Sequence, residues 1–273
     1  MQIYMLQDNT SSSGGYTIIG SILVWGLILG TLLSYVPQYY KIYNNKNTNG
    51  ISEYTILYGI YSCLFNIMGT IQENYSDIRK CREIGNCYER LIPICQLIAP
   101  FLCITTLYCF FLKYLTKENI TIWSSQYIIY KNAVWCRARL VIISNIFIVL
   151  LCFILNTKLS FITINKLGKI LNIVSSIFSA IMWIPQIYKT YKLKTDYSLS
   201  IIALSIHSFG CFITVVYQVG FANQNLYVVL NYIIGGISEG SIVCMILYYK
   251  RNRDKLLTST YLLSSDNNEY TTL

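Results

Sequence analysis

Tyr35-Val36-Pro37-Gln38-Tyr39-Tyr40-Lys41-Ile42-Tyr43 recurs as Trp183-Ile184-Pro185-Gln186-Ile187-Tyr188-Lys189-Thr190-Tyr191, at a constant offset of 148 residues, the separation of Pro37 from Pro185. Within the two copies a proline, a glutamine, two tyrosines and a lysine coincide. The same offset continues without gaps, pairing Ser52 with Ser200, Cys63 with Cys211, and apolar Ile51 with Leu199. In a chain with only four prolines, composition does not account for this. It is an internal repeat, and repeats of this size are a feature of membrane carriers.

The composition around the repeat points to a bilayer. Of the 273 residues 54% are apolar, 15% aromatic and only 12% charged, which argues against one or two soluble domains. The formal charge of +9 does not indicate nucleic acid, because Lys and Arg are scattered between apolar stretches and form no basic face. A spanning helix needs roughly 17–25 mostly apolar residues. Seven stretches qualify, at about 16–36, 54–71, 91–112, 140–156, 167–184, 199–220 and 226–249. No Lys or Arg precedes the first of them, so it is expected to remain as a span rather than act as a cleaved signal.

Orientation follows from the distribution of positive charge. With the N-terminus lumenal, 14 of the 21 Lys and Arg fall on the cytosolic side, so the C-terminus is expected in the cytosol. Both Pro-Gln pairs then end an odd-numbered span, the first and the fifth, and both face the cytosol. Three helices alone would return the second unit inverted, and a fourth crossing restores it to parallel. The expected architecture is an all-α membrane protein of two parallel three-helix bundles joined by a linker helix (3+1+3). Its parts are a lumenal tail (1–15), a first repeat (16–113), a cytosolic loop (114–139), a linker span (140–156), a second repeat (165–249) and a cytosolic tail (250–273).

The chain resembles the PQ-loop repeat family, which includes cystinosin and the lysosomal and vacuolar amino acid exporters, with structural relatives among the SWEET sugar carriers. Cys81-Arg-Glu-Ile-Gly-Asn-Cys87, Ser198-Leu-Ser-Ile and Ile206-His-Ser-Phe-Gly-Cys211-Phe look most like a fungal branch of that family. The resemblance implies that Pro37, Gln38, Pro185 and Gln186 form two hinges at a cytosolic gate. Chemistry agrees: each proline leaves the carbonyl four residues earlier, Leu33 or Ile181, without its usual partner. The neighbouring glutamine amide can donate to and accept from the backbone of another helix. Asn66-Ile-Met-Gly69 is similar to an Asn-x-x-Gly stretch of the amino acid exporters. One position departs from the pattern, since Ser205 stands near where proton-coupled cystinosin-like carriers have an Asp.

His207 and Glu239 are ionisable groups deep inside apolar segments, where such residues usually face a bundle interior or a cavity. Counted from the nearest span ends, they lie about 12 Å and 15 Å deep at 1.5 Å per residue. They are thus at similar depth on adjacent antiparallel helices, a pair able to sense or carry a proton. The alternative is structural, an imidazole bonded to a carbonyl and a carboxylate tying helices together. Asn66 and Gln96, with Asn172, Gln218 and Asn231, are further candidates to line a cavity or to bond helix to helix.

No catalytic constellation is present: there is no Gly-rich phosphate loop, no nucleophile with a base, and a single histidine. The ten cysteines show neither zinc spacing nor Cys-x-x-Cys, so no metal or cofactor is expected. Cys81 and Cys87 share a lumenal loop, as a disulfide or as two free thiols. Asn9-Thr10-Ser11 and Asn74-Tyr75-Ser76 are candidate glycosylation sequons. Tyr270-Thr-Thr-Leu273 has the form of an endosomal or lysosomal sorting signal, for which cytosolic adaptors are the partners, and implies a vacuolar or lysosomal address. The leading expectation is a secondary transporter for a small polar solute, an amino acid among the candidates, with proton linkage. The competing reading is a trafficking or lipid-handling protein on the same fold.

Overall fold

The computed structural model describes residues 13–48, 50–75, 78–79, 88–115, 124–194, 199–220 and 226–269. Within them lie seven long helices and no strand: α1 (Ser13–Asn45), α2 (Glu53–Glu73), α3 (Tyr88–Lys113), α4 (Ser124–Lys158), α5 (Phe161–Leu193), α6 (Ile201–Gly220) and α7 (Leu226–Glu269). Each is long and apolar enough to cross a membrane. In hydrocarbon the backbone must satisfy its own hydrogen bonds, which a continuous helix does. The candidate disulfide Cys81–Cys87, the first sequon, Ser76 of the second, and the Tyr270–Leu273 motif lie outside the described residues.

The helices run longer than their apolar stretches. Both α1 and α5 continue through Pro37 and Pro185 for about two more turns, so the Pro-Gln pairs sit inside a helix and do not end it. A proline removes only one i→i−4 bond, and the polar side chains that follow are held by tertiary partners described below. Both helices then stop in the same way. Lys46 (φ 47°) and Lys194 (φ 51°), again 148 apart, adopt the left-handed conformation, and the Lys194 N–H donates to Thr190 O. Much of the stretch expected as a cytosolic loop is helix as well, since α4 begins at Ser124.

Within each half the third helix packs on the other two: α3 on α1 and α2, and α7 on α5 and α6. Between the halves, α1 meets α6 and α2 meets α5, the latter being the most extensive helix contact among the described residues. The close approach of α2 and α5 comes from glycine. A Cβ added at Gly168 would stand 2.7 Å from the Glu73 nitrogen and 2.8 Å from Gly69 O, both backbone atoms. Small residues at helix crossings are how membrane helices gain van der Waals contact. Asn172 Nδ2 donates to Glu73 Oε2 and Asn165 Nδ2 to Glu73 O at the same crossing, both at 2.9 Å.

The fourth helix is peripheral. It packs on α2, and Ile142, Ile143, Ile146, Phe147 and Phe153 are all exposed, a surface suited to lipid. Two of its polar links lie among the described residues. Arg137 Nε and Nη2 donate to Glu53 Oε1 and Oε2 at 2.9 and 2.7 Å, a bidentate pair on a nearly buried carboxylate. Further along, Tyr61 and Ser144 share a hydroxyl hydrogen bond of 2.6 Å.

Candidate functional site

The two Pro-Gln segments reach across to the opposite half. Gln38 Oε1 accepts the Ser200 N–H at 2.7 Å, and Gln186 Oε1 accepts the Ser52 N–H at 3.0 Å. One turn further on, Lys41 Nζ donates to Leu199 O at 2.7 Å and Lys189 Nζ to Ile51 O at 2.6 Å. Every participant is 148 residues from its counterpart. A glutamine and a lysine three residues apart share one helix face, and together they hold the N–H and carbonyl that begin the second helix of the other half. A helix N-terminus leaves backbone donors without partners, and here the glutamines supply acceptors. Gln186 adds a bond from Nε2 to Gly50 O at 2.8 Å.

Between the halves lies a cavity of about 580 Å³. Its lining repeats the same symmetry. Thr31, Ser34, Tyr35 and Gln38 of α1 are matched at the 148 offset by Ser179, Met182, Trp183 and Gln186 of α5, and the lining residues of α2 have lining counterparts on α6. The third helices follow a different offset: Gln96, Leu97, Pro100 and Ile104 on α3 have the same spacing as Asn231, Tyr232, Gly235 and Glu239 on α7, 135 apart. The connection between second and third helix is therefore shorter in the second half. Polar bonds close part of the wall. Asn231 Nδ2 donates to Ser175 Oγ at 3.1 Å, and Ser175 Oγ donates to Ser62 O at 2.7 Å, joining α2, α5 and α7.

The chemistry of the lining is not symmetric. His207 Nδ1 lies 2.6 and 2.8 Å from the two Glu239 oxygens. Glu239 is 2% exposed, and the Tyr35 ring meets the imidazole edge-on at 5.5 Å. At the matching positions of the first half stand Gly59 and Ile104, packed so closely that a Cβ on Gly59 would collide with Ile104 Cδ1. One half thus presents an ionisable pair where the other presents a tight apolar contact. His207 and Glu239 are the only ionisable groups of formal charge in the described lining, which has no Lys, Arg or Asp.

Seven of the site candidates named from sequence, Gln38, Gln186, Asn66, Gln96, Asn231, His207 and Glu239, share this cavity; Pro37 and Pro185 do not line it. Asn66 is 4% exposed, and its Oδ1 has no hydrogen-bond partner among the described residues. Gln96 Oε1 instead accepts from Gln218 Nε2 at 3.2 Å, tying α3 to α6. Asn231 lines the cavity, whereas Asn172 is spent on Glu73 and Gln218 on Gln96. Sequence reasoning missed Tyr35, Trp183, Tyr232 and Cys211 as lining residues. The repeat alignment carried the signal for three of them, since Tyr35 aligns with Trp183 and Cys63 with Cys211.

A family model for the PQ loop repeat matches residues 19–78 and again residues 167–227, two segments whose starts are themselves 148 apart. Comparison with curated proteins finds no match.

Proposed function

The chain is a multi-pass membrane protein carrying two PQ-loop repeats, and from that premise we propose that it is a secondary transporter, not an enzyme, moving a small polar solute across an organelle membrane. The observation that carries the reading is the cavity between the halves, lined at equivalent positions by both repeats. Alternating access by rocking of two repeats around a central site has this geometry. The helix contacts support a 3+1+3 plan in which α4 only returns the chain to the starting side. Volume and lining suit a solute of amino acid size, with Asn66, Gln96 and Asn231 as its polar contacts. Any coupling cation, a proton included, would use the His207–Glu239 pair. In this reading Pro37 and Pro185 are hinges, and the Gln38–Ser200 and Gln186–Ser52 bonds are the closed cytosolic gate.

Uptake of radiolabelled amino acids into proteoliposomes, run beside a lipid-flip assay in the same vesicles, tests the proposal. Saturable uptake above empty vesicles supports it. Lipid flip without solute uptake would replace it with the lipid-handling reading. The charge bias adds a lumenal N-terminus and a cytosolic C-terminus, for which protease protection of a tag after Leu273 in sealed organelles is the contrary result. The vacuolar or lysosomal address rests on Tyr270 and Leu273. Tyr270→Ala should send the protein to the cell surface, and an unchanged distribution removes that address.

A further inference from the structure

The geometry points to a binding site for one borderline transition-metal cation of the zinc type, held by His207, Cys211 and Glu239 on the cavity wall. His207 and Cys211 are four residues apart on α6, the spacing that stacks two side chains on one helix face. Glu239 comes to them from α7. The imidazole nitrogen, the thiol sulfur and a carboxylate oxygen all lie within 4.8 Å of one another. Cys211 and Glu239 are buried, at 7% and 2% exposure, and all three residues line the cavity.

The donor set selects the kind of ion. One nitrogen, one sulfur and one carboxylate oxygen suit a four-coordinate zinc-like cation, whereas magnesium and calcium require six or more oxygens. Three protein donors leave a fourth position, and the cavity lies beside it. That is the arrangement of sites where metal and solute must meet, in contrast to closed structural sites with four protein ligands. The thiol proton is released to water as the metal–sulfur bond forms.

Charge and symmetry agree. No Lys or Arg in the described lining opposes an entering cation, and Glu239 is its sole carboxylate. The same lining offers a solute carboxylate no lysine or arginine partner, a role that a bound metal can take. The matching positions of the first half are Gly59, Cys63 and Ile104, which supply one donor at most, so one ion per chain is expected. Sequence spacing does not reveal the site because its third donor is 28 residues from Cys211, on another helix.

The site deepens the transport reading but is tested without transport, so the failure of either leaves the other standing. Purified protein in detergent is titrated with Co²⁺. The expected result is one equivalent bound, a near-ultraviolet thiolate-to-cobalt band, and strong visible bands of four-coordinate cobalt. Zn²⁺ should displace it, and a hundredfold excess of Mg²⁺ should not. Cys211→Ser should remove the thiolate band, and His207→Ala or Glu239→Gln should weaken binding at least tenfold. Cys63→Ser, which changes the equivalent cysteine, should leave both unchanged. A second measurement needs no variant: Zn²⁺ should slow iodoacetamide labelling of Cys211 in the wild-type protein, read by peptide mass spectrometry, relative to Cys63. A missing thiolate band, a band that survives Cys211→Ser, or equal labelling of Cys211 with and without Zn²⁺ would each overturn the site.

Discussion

Gln186 Oε1 accepts the backbone N–H of Ser52 at 3.0 Å, and the equivalent Gln38 Oε1 accepts that of Ser200 at 2.7 Å. The two bonds are one interaction made twice, each half of the molecule holding the first backbone donor of the other half's second helix. Gln186→Leu keeps volume but removes the acceptor for Ser52 N–H and the donor to Gly50 O. A buried backbone group left without a partner costs about 1–3 kcal/mol. The variant should lose about that much stability in detergent, read as a lower melting temperature. Gln186→Glu keeps the acceptor but buries a carboxylate against the Gly50 carbonyl, so it should not restore the loss. A leucine variant that melts with the wild type would mean the bonds contribute nothing.

The Gly69–Gly168 crossing makes a second prediction, and α1 supplies its control. A methyl at Gly168 meets backbone of α2 on two sides, so the helices must part. Gly26 also lies within a helix, yet a Cβ there has nothing within 4 Å. Gly168→Ala should therefore reduce folded yield and destabilise by roughly 2 kcal/mol or more, in the range typical of overpacking. Gly26→Ala should be neutral or gain up to about 1 kcal/mol from helix propensity. Equal melting of the two variants would show that α2 and α5 are not held at backbone contact.

Arg137 and Glu53 predict a non-additive pair. Glu53 is 5% exposed, so Arg137→Ala leaves a buried carboxylate without its partner, a change that costs about 3–5 kcal/mol in buried pairs. The roughly one-third exposed guanidinium places the expected loss at the lower end of that range. Removing both charges, as Glu53→Gln with Arg137→Met, should recover most of it. Thermal unfolding of the single and double variants checks this, and additive losses would show that the pair does not fix α4.

Much of this is legible in the sequence because the repeat is gapless through its first two helices. The 148 offset that aligns Gln38 with Gln186 and Ser52 with Ser200 picks out the participants of the two glutamine–serine bonds, though not that each glutamine serves the opposite half. His207 and Glu239 are visible as charges in apolar runs, and their depths bring them level. The third helices are not legible as equivalents, because a shortened connection moves their offset to 135 and hides the match of Glu239 with Ile104. Helix ends are misread for a related reason. Hydropathy reports where the apolar stretch stops, whereas α1 and α5 continue beyond it, held there by Gln38, Lys41, Gln186 and Lys189. Glu53 and Glu73 pass for span edges, yet both are buried against charged or amide partners from another helix.

The prolines give the test that bears most directly on the transport proposal. Pro37 and Pro185 lie inside helices that continue past them, so each leaves one carbonyl, at Leu33 or Ile181, without its ordinary intrahelical donor. Such a point costs little to bend, and it lies one residue from the glutamine that holds the opposite half. Pro37→Ala or Pro185→Ala restores the missing donor and should stiffen the helix while leaving Gln38 and Gln186 their partners. The expected outcome is folded protein at wild-type abundance with solute flux slowed several-fold, because opening and not binding is impaired. Equilibrium solute binding should change little, which separates a hinge from a binding residue. The effect should also be similar for the two sites, since each is the other's equivalent in the repeat. Flux equal to wild type at matched protein level would show that the helices do not bend at these prolines. A loss confined to one of the two would show that the halves do not move as equivalents.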